Sequence, residues 1–260
     1  MSTLAYAWRD SSTMLRRNLK RQIRYPSMTL MLIGIPVIFL LLFVYVFGGT
    51  LGAGLGGDRS DYANYVTPGV LLIAVSGVAQ GTAISVAMDM TEGIIARFKT
   101  MAIFRPSVLT GHVLGNLIQS MIGFAVVIGV ALLVGFRPKA NFVEWLGVAG
   151  ILALITLAVI WFSVACGLVT KSVETASNLP MPLILLPFLG SGFVPTESMP
   201  KAIGWFAEYQ PFTPVMETLR GLMFGTAIGK NGILAVGWCL LISVVSYVWA
   251  KKLYNRDPGS

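Results

Sequence analysis

Side chains able to do chemistry are sparse in this sequence, and the richest grouping of them lies in residues 89–111. That stretch sets Glu92, Arg97, Lys99 and Arg105 around Ile94, Ile95, Phe98, Met101 and Phe104. At about 3.6 residues per helical turn, Ile94, Ile95, Phe98 and Met101 share one stripe and the charges border it. Apolar knobs inside a charged rim are the chemistry of docking a protein partner. A juxtamembrane helix that only binds lipid is the plainer reading of the same pattern. Elsewhere the chemistry is thin. His112 is the one histidine, with no second His, Cys or carboxylate at ligand spacing, so it reads as a helix-end residue rather than a metal ligand. Cys166 and Cys239 fall singly in apolar segments and read as buried thiols, with no disulfide framework. The sequence holds no G-x-x-x-x-G-K-[ST] phosphate loop, no H-E-x-x-H and no G-x-S-x-G. Glu197, Glu208 and Glu217 lack a nearby nucleophile, which leaves an enzymatic site there the weakest reading.

The elements that must position the 89–111 stretch are apolar and long. Six windows contain no Asp, Glu, Lys or Arg: 25–57, 62–88, 106–136, 145–170, 175–196 and 231–250. Each reaches the ~20 residues that a helix rising ~1.5 Å per residue needs to cross a ~30 Å hydrocarbon core. Hydrophobic residues make up 55% of the chain, charged ones 12%, and the mean hydropathy is +0.77. The net charge of +8 is unevenly placed. With a cytoplasmic N-terminus, 13 of the 19 Lys and Arg fall on the cytoplasmic side, which carries the whole excess, and the outer segments balance to zero. The positive-inside rule then puts both termini in the cytoplasm with an even number of spans. The basic excess faces anionic lipid rather than nucleic acid. No span carries an ionisable residue at its centre, where coupled transporters keep their proton or sodium ligands, so energy for any uphill movement must come from outside the chain.

Fold expectations follow directly. The chain reads as an all-α polytopic membrane protein, one transmembrane domain over 1–260. Residues 1–25 form an amphipathic interfacial helix, with Leu4, Trp8, Leu15, Leu19 and Ile23 on one face and Arg9, Arg16, Arg17, Lys20, Arg21 and Arg24 on others. Six transmembrane helices cover about 28–48, 67–88, 109–136, 145–169, 176–194 and 231–249. Pro36 is expected to kink the first, and the Gly-rich 48–57 stretch reads as a flexible loop. Gly77 and Gly81 form a small-xxx-small pattern for close helix approach. Pro180, Pro182 and Pro187 predict a bent or broken fifth span. Residues 195–230, with Trp205, Phe206, Tyr209, Phe212 and Phe224, read as short helices in or entering the outer interface.

Two blocks carry a family resemblance. Asp89, Gly93, Arg97-Phe98, Ile103, Arg105, Leu109 and Gly111 fall in a pattern that resembles the first cytoplasmic loop of type-2 ABC exporter permeases, in particular the daunorubicin/doxorubicin-resistance-like branch. The second block runs through Phe193-Val194-Pro195, Met199-Pro200, Pro211, Thr213-Pro214, Leu219-Arg220-Gly221 and Gly225. It is similar to that family's outer segment between spans five and six. The chain departs from the family where Met101-Ala102 replaces a frequent Leu-Pro and Gly111-His112 a frequent Gly-Arg.

The resemblance implies a permease subunit of an ATP-driven exporter in a bacterial plasma membrane, moving an amphipathic drug, lipid or glycolipid outward. It implies no cofactor on this chain, with ATP and Mg on a separate nucleotide-binding subunit in two copies, and a second permease, identical or related. The 89–108 loop becomes the coupling loop, with Glu92, Gly93, Arg97, Phe98, Met101, Phe104 and Arg105 as ATPase-docking residues. Spans two and five would flank the path, with Gln80, Thr82, Ser85, Phe188 and Phe193 as lining candidates, for each of which helix packing is the plainer reading. Pro195, Pro200, Pro211, Pro214 and Arg220 mark the outer segment. The alternative of a different class is a membrane scaffold or sensor that uses the same loop to recruit a partner.

Overall fold

The computed structural model describes residues 3–24, 26–54, 58–94, 106–170, 172–194 and 199–255. Helices account for nearly all of them, and no strand occurs among the described residues. In chain order they are α1 (Thr3–Arg24), α2 (Pro26–Leu41) continued by a π-helical turn (Leu42–Phe47), α3 (Gly48–Gly54), α4 (Arg59–Thr91), α5 (Pro106–Val134), α6 (Phe142–Val169), α7 (Val173–Asn178), a 3₁₀ turn (Met181–Ile184), α8 (Lys201–Tyr209), α9 (Phe212–Phe224) and α10 (Asn231–Asn255).

Among the described residues, five helical stretches are long and apolar enough to cross a membrane: Thr29–Gly52, Arg59–Thr91, Leu109–Val134, Phe142–Val169 and Asn231–Tyr254. The windows at 25–57, 62–88, 106–136, 145–170 and 231–250 thus each hold a long helical stretch, and on α4 and α6 an N-terminal capping box carries the helix beyond the charge-free core. Asp58 accepts from the Ser60 and Asp61 amides at 2.7 and 3.0 Å and Asp61 answers at the Asp58 amide at 3.1 Å, closing a capping box that starts α4 eight residues earlier than the 67–88 expectation. Asn141 and Glu144 close the same box on α6.

The expected fifth span differs. Residues 176–194 form no long helix, because Pro180, Pro182 and Pro187 remove amide donors from the i→i−4 ladder. What remains is α7, then mainly i→i−3 bonds: Leu183 to Pro180, Leu185 to Pro182, Leu186 to Leu183 and Phe188 to Leu185, at 2.9–3.3 Å. The segment nevertheless runs antiparallel along α4. Ser177 meets Gln80, Leu183 meets Ser76, and Ser191 meets Tyr65. From Tyr65 to Gln80 α4 rises about 22 Å, so this broken segment extends about that far while lying against one helix.

The 48–57 stretch also departs from expectation. Instead of a loop from Gly48, the chain stays helical through α3. The glycines let it fold back on the start of α4, where a Cβ on Gly52 would sit 2.7 Å from the Asp58 carbonyl oxygen. Pro36 lies inside α2, and the irregularity follows it, at the π turn.

Helices α4 and α6 form the centre, with α2, α5, α7, α9 and α10 around them. Leu71, Leu72, Leu152, Ile155, Ile160 and Met216 are fully buried between these layers. Outward faces of α2 and α10 carry exposed Ile35, Ile38, Leu240, Leu241, Val244 and Val245, the surface a bilayer accepts. The Gly77/Gly81 pattern is not the site of close approach: Gly77 meets only Leu32 at 3.5 Å and Gly81 has open space beside it. The α4–α6 contact forms at Gly167, whose Cβ would lie 2.8 Å from both the Ala83 carbonyl oxygen and Val86 Cβ. Gly167→Leu is expected to force these helices apart at a cost of about 1–3 kcal/mol, read as a lower melting temperature of the purified permease. An unchanged melting temperature would refute that packing.

Candidate functional site

Two polar clusters sit near opposite ends of α4. At its C-terminal end Asp89 is fully buried in the last turn of the helix. A carboxylate there faces the negative end of the helix dipole and needs cations or donors to hold it. Arg17 of α1 supplies an ion pair through Nη2, and His112 of α5 places Nε2 3.0 Å from the same carboxylate oxygen. His112 is 1% exposed. The contacts continue along α5: Asn116 accepts from Gln22 and donates to Thr82, both at 2.9 Å, and Gln119 donates to Thr29 at 2.7 Å. Small residues allow this approach, since a Cβ on Gly111 would meet Met14 Cβ at 2.6 Å and one on Gly115 would meet Asn18 at 3.1 Å. Helix α1 is therefore docked on α5 through Met14, Arg17, Asn18 and Gln22, and Ile23 of the expected apolar stripe stays 79% exposed.

One turn beyond Asp89, Glu92 caps α4 and Gly93 takes φ +69°, a left-handed conformation that ends the helix and suits glycine. The chain returns at Pro106 to begin α5. The docking candidates Arg97, Phe98, Met101, Phe104 and Arg105 lie outside the described residues. Asp89 in the last turn of α4 and His112 in the second turn of α5 join the two helix ends that flank it.

The second cluster centres on Arg220 of α9. Its guanidinium stacks 4.2 Å from the Tyr65 ring centroid, pairs with Glu217 and donates to the Ser191 carbonyl at 3.0 Å and the Tyr65 carbonyl at 3.3 Å. The Tyr65 hydroxyl donates to the same Ser191 oxygen at 2.9 Å. Carbonyls of the broken segment are met in the same way lower down, Leu183 by the Ser76 hydroxyl at 2.9 Å, beside its own backbone bond from Leu186, and Leu186 by Gln210 Nε2 at 2.8 Å. Five side chains thus donate to backbone carbonyls of the broken segment: Tyr65, Ser76, Gln80, Gln210 and Arg220.

The lining candidates are placed among these contacts. Gln80 donates to the Ser177 carbonyl at 3.4 Å, Thr82 is buried against Asn116, and Ser85 is half-buried on α4. Phe188 and Phe193 stack at 4.8 Å between centroids and continue into Phe43, 4.4 Å from Phe193, and Phe39, 5.8 Å from Phe188. Pro200 and Pro211 stand at the starts of α8 and α9, and Pro214 lies in the first turn of α9, whose apolar face is buried. Helix α8 exposes Trp205, Phe206 and Tyr209. Pro195 lies outside the described residues. Cys166 and Cys239 are both free and buried.

Sequence reasoning missed the pairing of Asp89 with Arg17, the role of Tyr65, and the approach of Gly69 to Gly192, where a Cβ on Gly69 would lie 2.8 Å from the Gly192 carbonyl oxygen. Asp89 stands just past the 62–88 window and was assigned to the connection. An acidic residue four positions before a glycine, at the end of an apolar helix, was the available signal that it sits in a last helical turn and needs a cation.

From Tyr65 to Asp89, about 36 Å along α4, no Asp, Glu, Lys or Arg intervenes, which matches a hydrocarbon core of ~30 Å bounded by polar ends. The ABC-2 type transporter family model matches residues 10–224, a range holding both clusters. The chain is 30% identical over 221 residues to the daunorubicin resistance ABC transporter permease protein DrrB1 of Streptomyces coeruleorubidus, covering 84% of this chain and 75% of that protein. It is 24% identical over 225 residues to the probable doxorubicin resistance ABC transporter permease protein DrrC of Mycobacterium tuberculosis H37Rv, covering 85% of this chain and 79% of that protein. A charge-free bundle closed at both ends by ionic clusters, matched along nearly its whole length, thus belongs to the ABC-2 type transporter family, as the membrane permease of an ABC exporter.

Proposed function

We propose that this permease crosses the membrane six times, with both termini cytoplasmic, and moves an amphipathic drug of the daunorubicin or doxorubicin kind, or a lipid of similar shape, from the inner leaflet outward. The carrying observation is the broken segment 176–194, which follows α4 antiparallel for about 22 Å without being a regular helix. Counted as a crossing, it returns the chain to an even number of spans, in agreement with the charge asymmetry. The Arg220 end is then outer and the Asp89 end cytoplasmic.

ATP and Mg belong to a nucleotide-binding partner, two copies of which dock on the 89–108 loops of two permeases. The second permease is this chain or a related one. Its contact surface, the lipid-facing helices and the Phe188/Phe193 stack together frame the path. Segment 195–230 acts as an outer lid.

The test is reconstitution of the permease with its ATPase in vesicles, followed by ATP-driven doxorubicin accumulation. Phe98→Asp is expected to reduce flux by about tenfold or more, by placing a charge on an apolar docking knob. Undiminished flux in that variant would refute the docking assignment. ATPase binding without flux of any amphipathic substrate would favour a recruiting scaffold instead.

A further inference from the structure

We propose that Asp89, held by Arg17 and His112, is a positioning residue that ties α1 to the coupling loop, so that α1 moves with the ends of α4 and α5 as one unit. The inference rests on the reading of the 89–108 loop as the ATPase docking element. Three observations carry it. First, Asp89 and His112 lie on the two helices that the loop joins, and His112 Nε2 meets the Asp89 carboxylate at 3.0 Å. A pull on either end of the connection is shared by both helices. Second, Arg17 brings in a third helix from far along the chain, and the Gly111–Met14 and Gly115–Asn18 approaches leave no gap in which α1 and α5 could slide independently. Packed interfaces of this kind move as bodies rather than deform. Third, the carboxylate is fully buried. A buried ion pair is weak evidence for stability, since an apolar replacement of equal volume often serves as well. It does fix which helices stay in register, because parting them exposes an uncompensated charge to an apolar surrounding. Asn116, bonded to Gln22 and Thr82, repeats the same α1–α5–α4 bridge one turn deeper. Asp89 thus acts on transport through the helices it joins, without touching ATP or substrate.

Substitutions separate this role from simple stabilisation. Asp89→Asn alone leaves Arg17 facing a neutral amide and is expected to lower the melting temperature of the complex. The double variant Asp89→Asn with Arg17→Gln removes both charges while keeping hydrogen-bonding groups, and is expected to recover the melting temperature. The deciding readout is doxorubicin transported per ATP hydrolysed in vesicles containing permease and ATPase. The double variant is expected to transport about tenfold less drug per ATP hydrolysed, within the range of ordinary coupling free energies. A double variant that is stable and transports at the parental ratio would overturn the inference while leaving the docking assignment intact. A parental permease that fails to bind the ATPase, or a Phe98→Asp variant with full flux, would instead overturn the docking reading on which it rests. If the double variant stays unstable, a cysteine pair at Asn18 and Gly115, whose Cβ positions lie 3.1 Å apart, decides: oxidative locking of α1 to α5 is expected to preserve flux, and its loss on locking would refute joint movement.

Discussion

Gly192→Val is expected to abolish ATP-driven drug accumulation and to lower the melting temperature of the permease by about 10 °C or more. A Cβ at Gly192 would lie 2.8 Å from both the Met216 sulfur and the Pro187 carbonyl oxygen, and one at Gly69 would lie 2.8 Å from the Gly192 carbonyl oxygen. Two backbones therefore touch where the broken segment crosses α4. Most of the atoms at fault are backbone, so no rotamer change relieves the clash, and overpacking of this kind costs about 1–3 kcal/mol or more. The larger cost is indirect. Prying the segment off α4 also breaks the bonds from Tyr65, Ser76 and Gln80 to its carbonyls, and each orphaned carbonyl in apolar surroundings costs about 1–3 kcal/mol. Gly81→Ala on the same helix, with nothing within 4 Å of its Cβ, is the control and is expected to behave as the parent. Parental flux and melting temperature in Gly192→Val would show that the crossing does not pack on α4 in this way.

Arg220→Met should be the next most damaging change. It keeps the length and apolar stem of the side chain, and removes the Tyr65 stacking, the Glu217 pair and the donors to Ser191 and Tyr65 together. Glu217 is 31% exposed at its side chain and recovers part of its loss from water, so the Ser191 end carries most of the effect. The expected destabilisation is about 2–3 kcal/mol, from two lost charge-assisted hydrogen bonds and one cation–π contact. Arg220→Lys keeps the charge and is still expected to lose most of it, because one ammonium cannot stack flat on Tyr65 and reach two carbonyls in different directions. Melting curves of the three proteins, with drug efflux from cells expressing each alongside its ATPase, provide the check. A lysine variant equal to the parent would reduce Arg220 to a point charge.

The arginine was legible in the sequence as part of the outer-segment motif, but its partners were not. Tyr65 and Ser191 lie 155 and 29 residues from it along the chain. The same holds at the other end, where Asp89 meets Arg17 across 72 residues and His112 across 23. His112 read as a helix-end or interfacial residue because nothing near it in sequence had ligand spacing, whereas it lies in the second turn of α5, buried against Asp89. The proline-rich fifth segment read as broken and is broken. Its count as a long helix failed for that reason, since a ladder without donors cannot be continuous.

The sequence by itself determined the membrane class and the permease family, and of the six spans it predicted, five are long apolar helices. Those follow from hydropathy and motif residues, each acting within a turn or two of where it stands. It also named glycines, but the wrong pair: Gly77 and Gly81 have the spacing for close approach, whereas Gly69, Gly167 and Gly192 make it. Only the tertiary structure decided this, because which face of a helix meets another depends on its rotation and register against elements far away in the chain. It decided the burial of Asp89 for the same reason: a residue one step past an apolar window becomes part of a core only when α1 and α5 arrive to cover it.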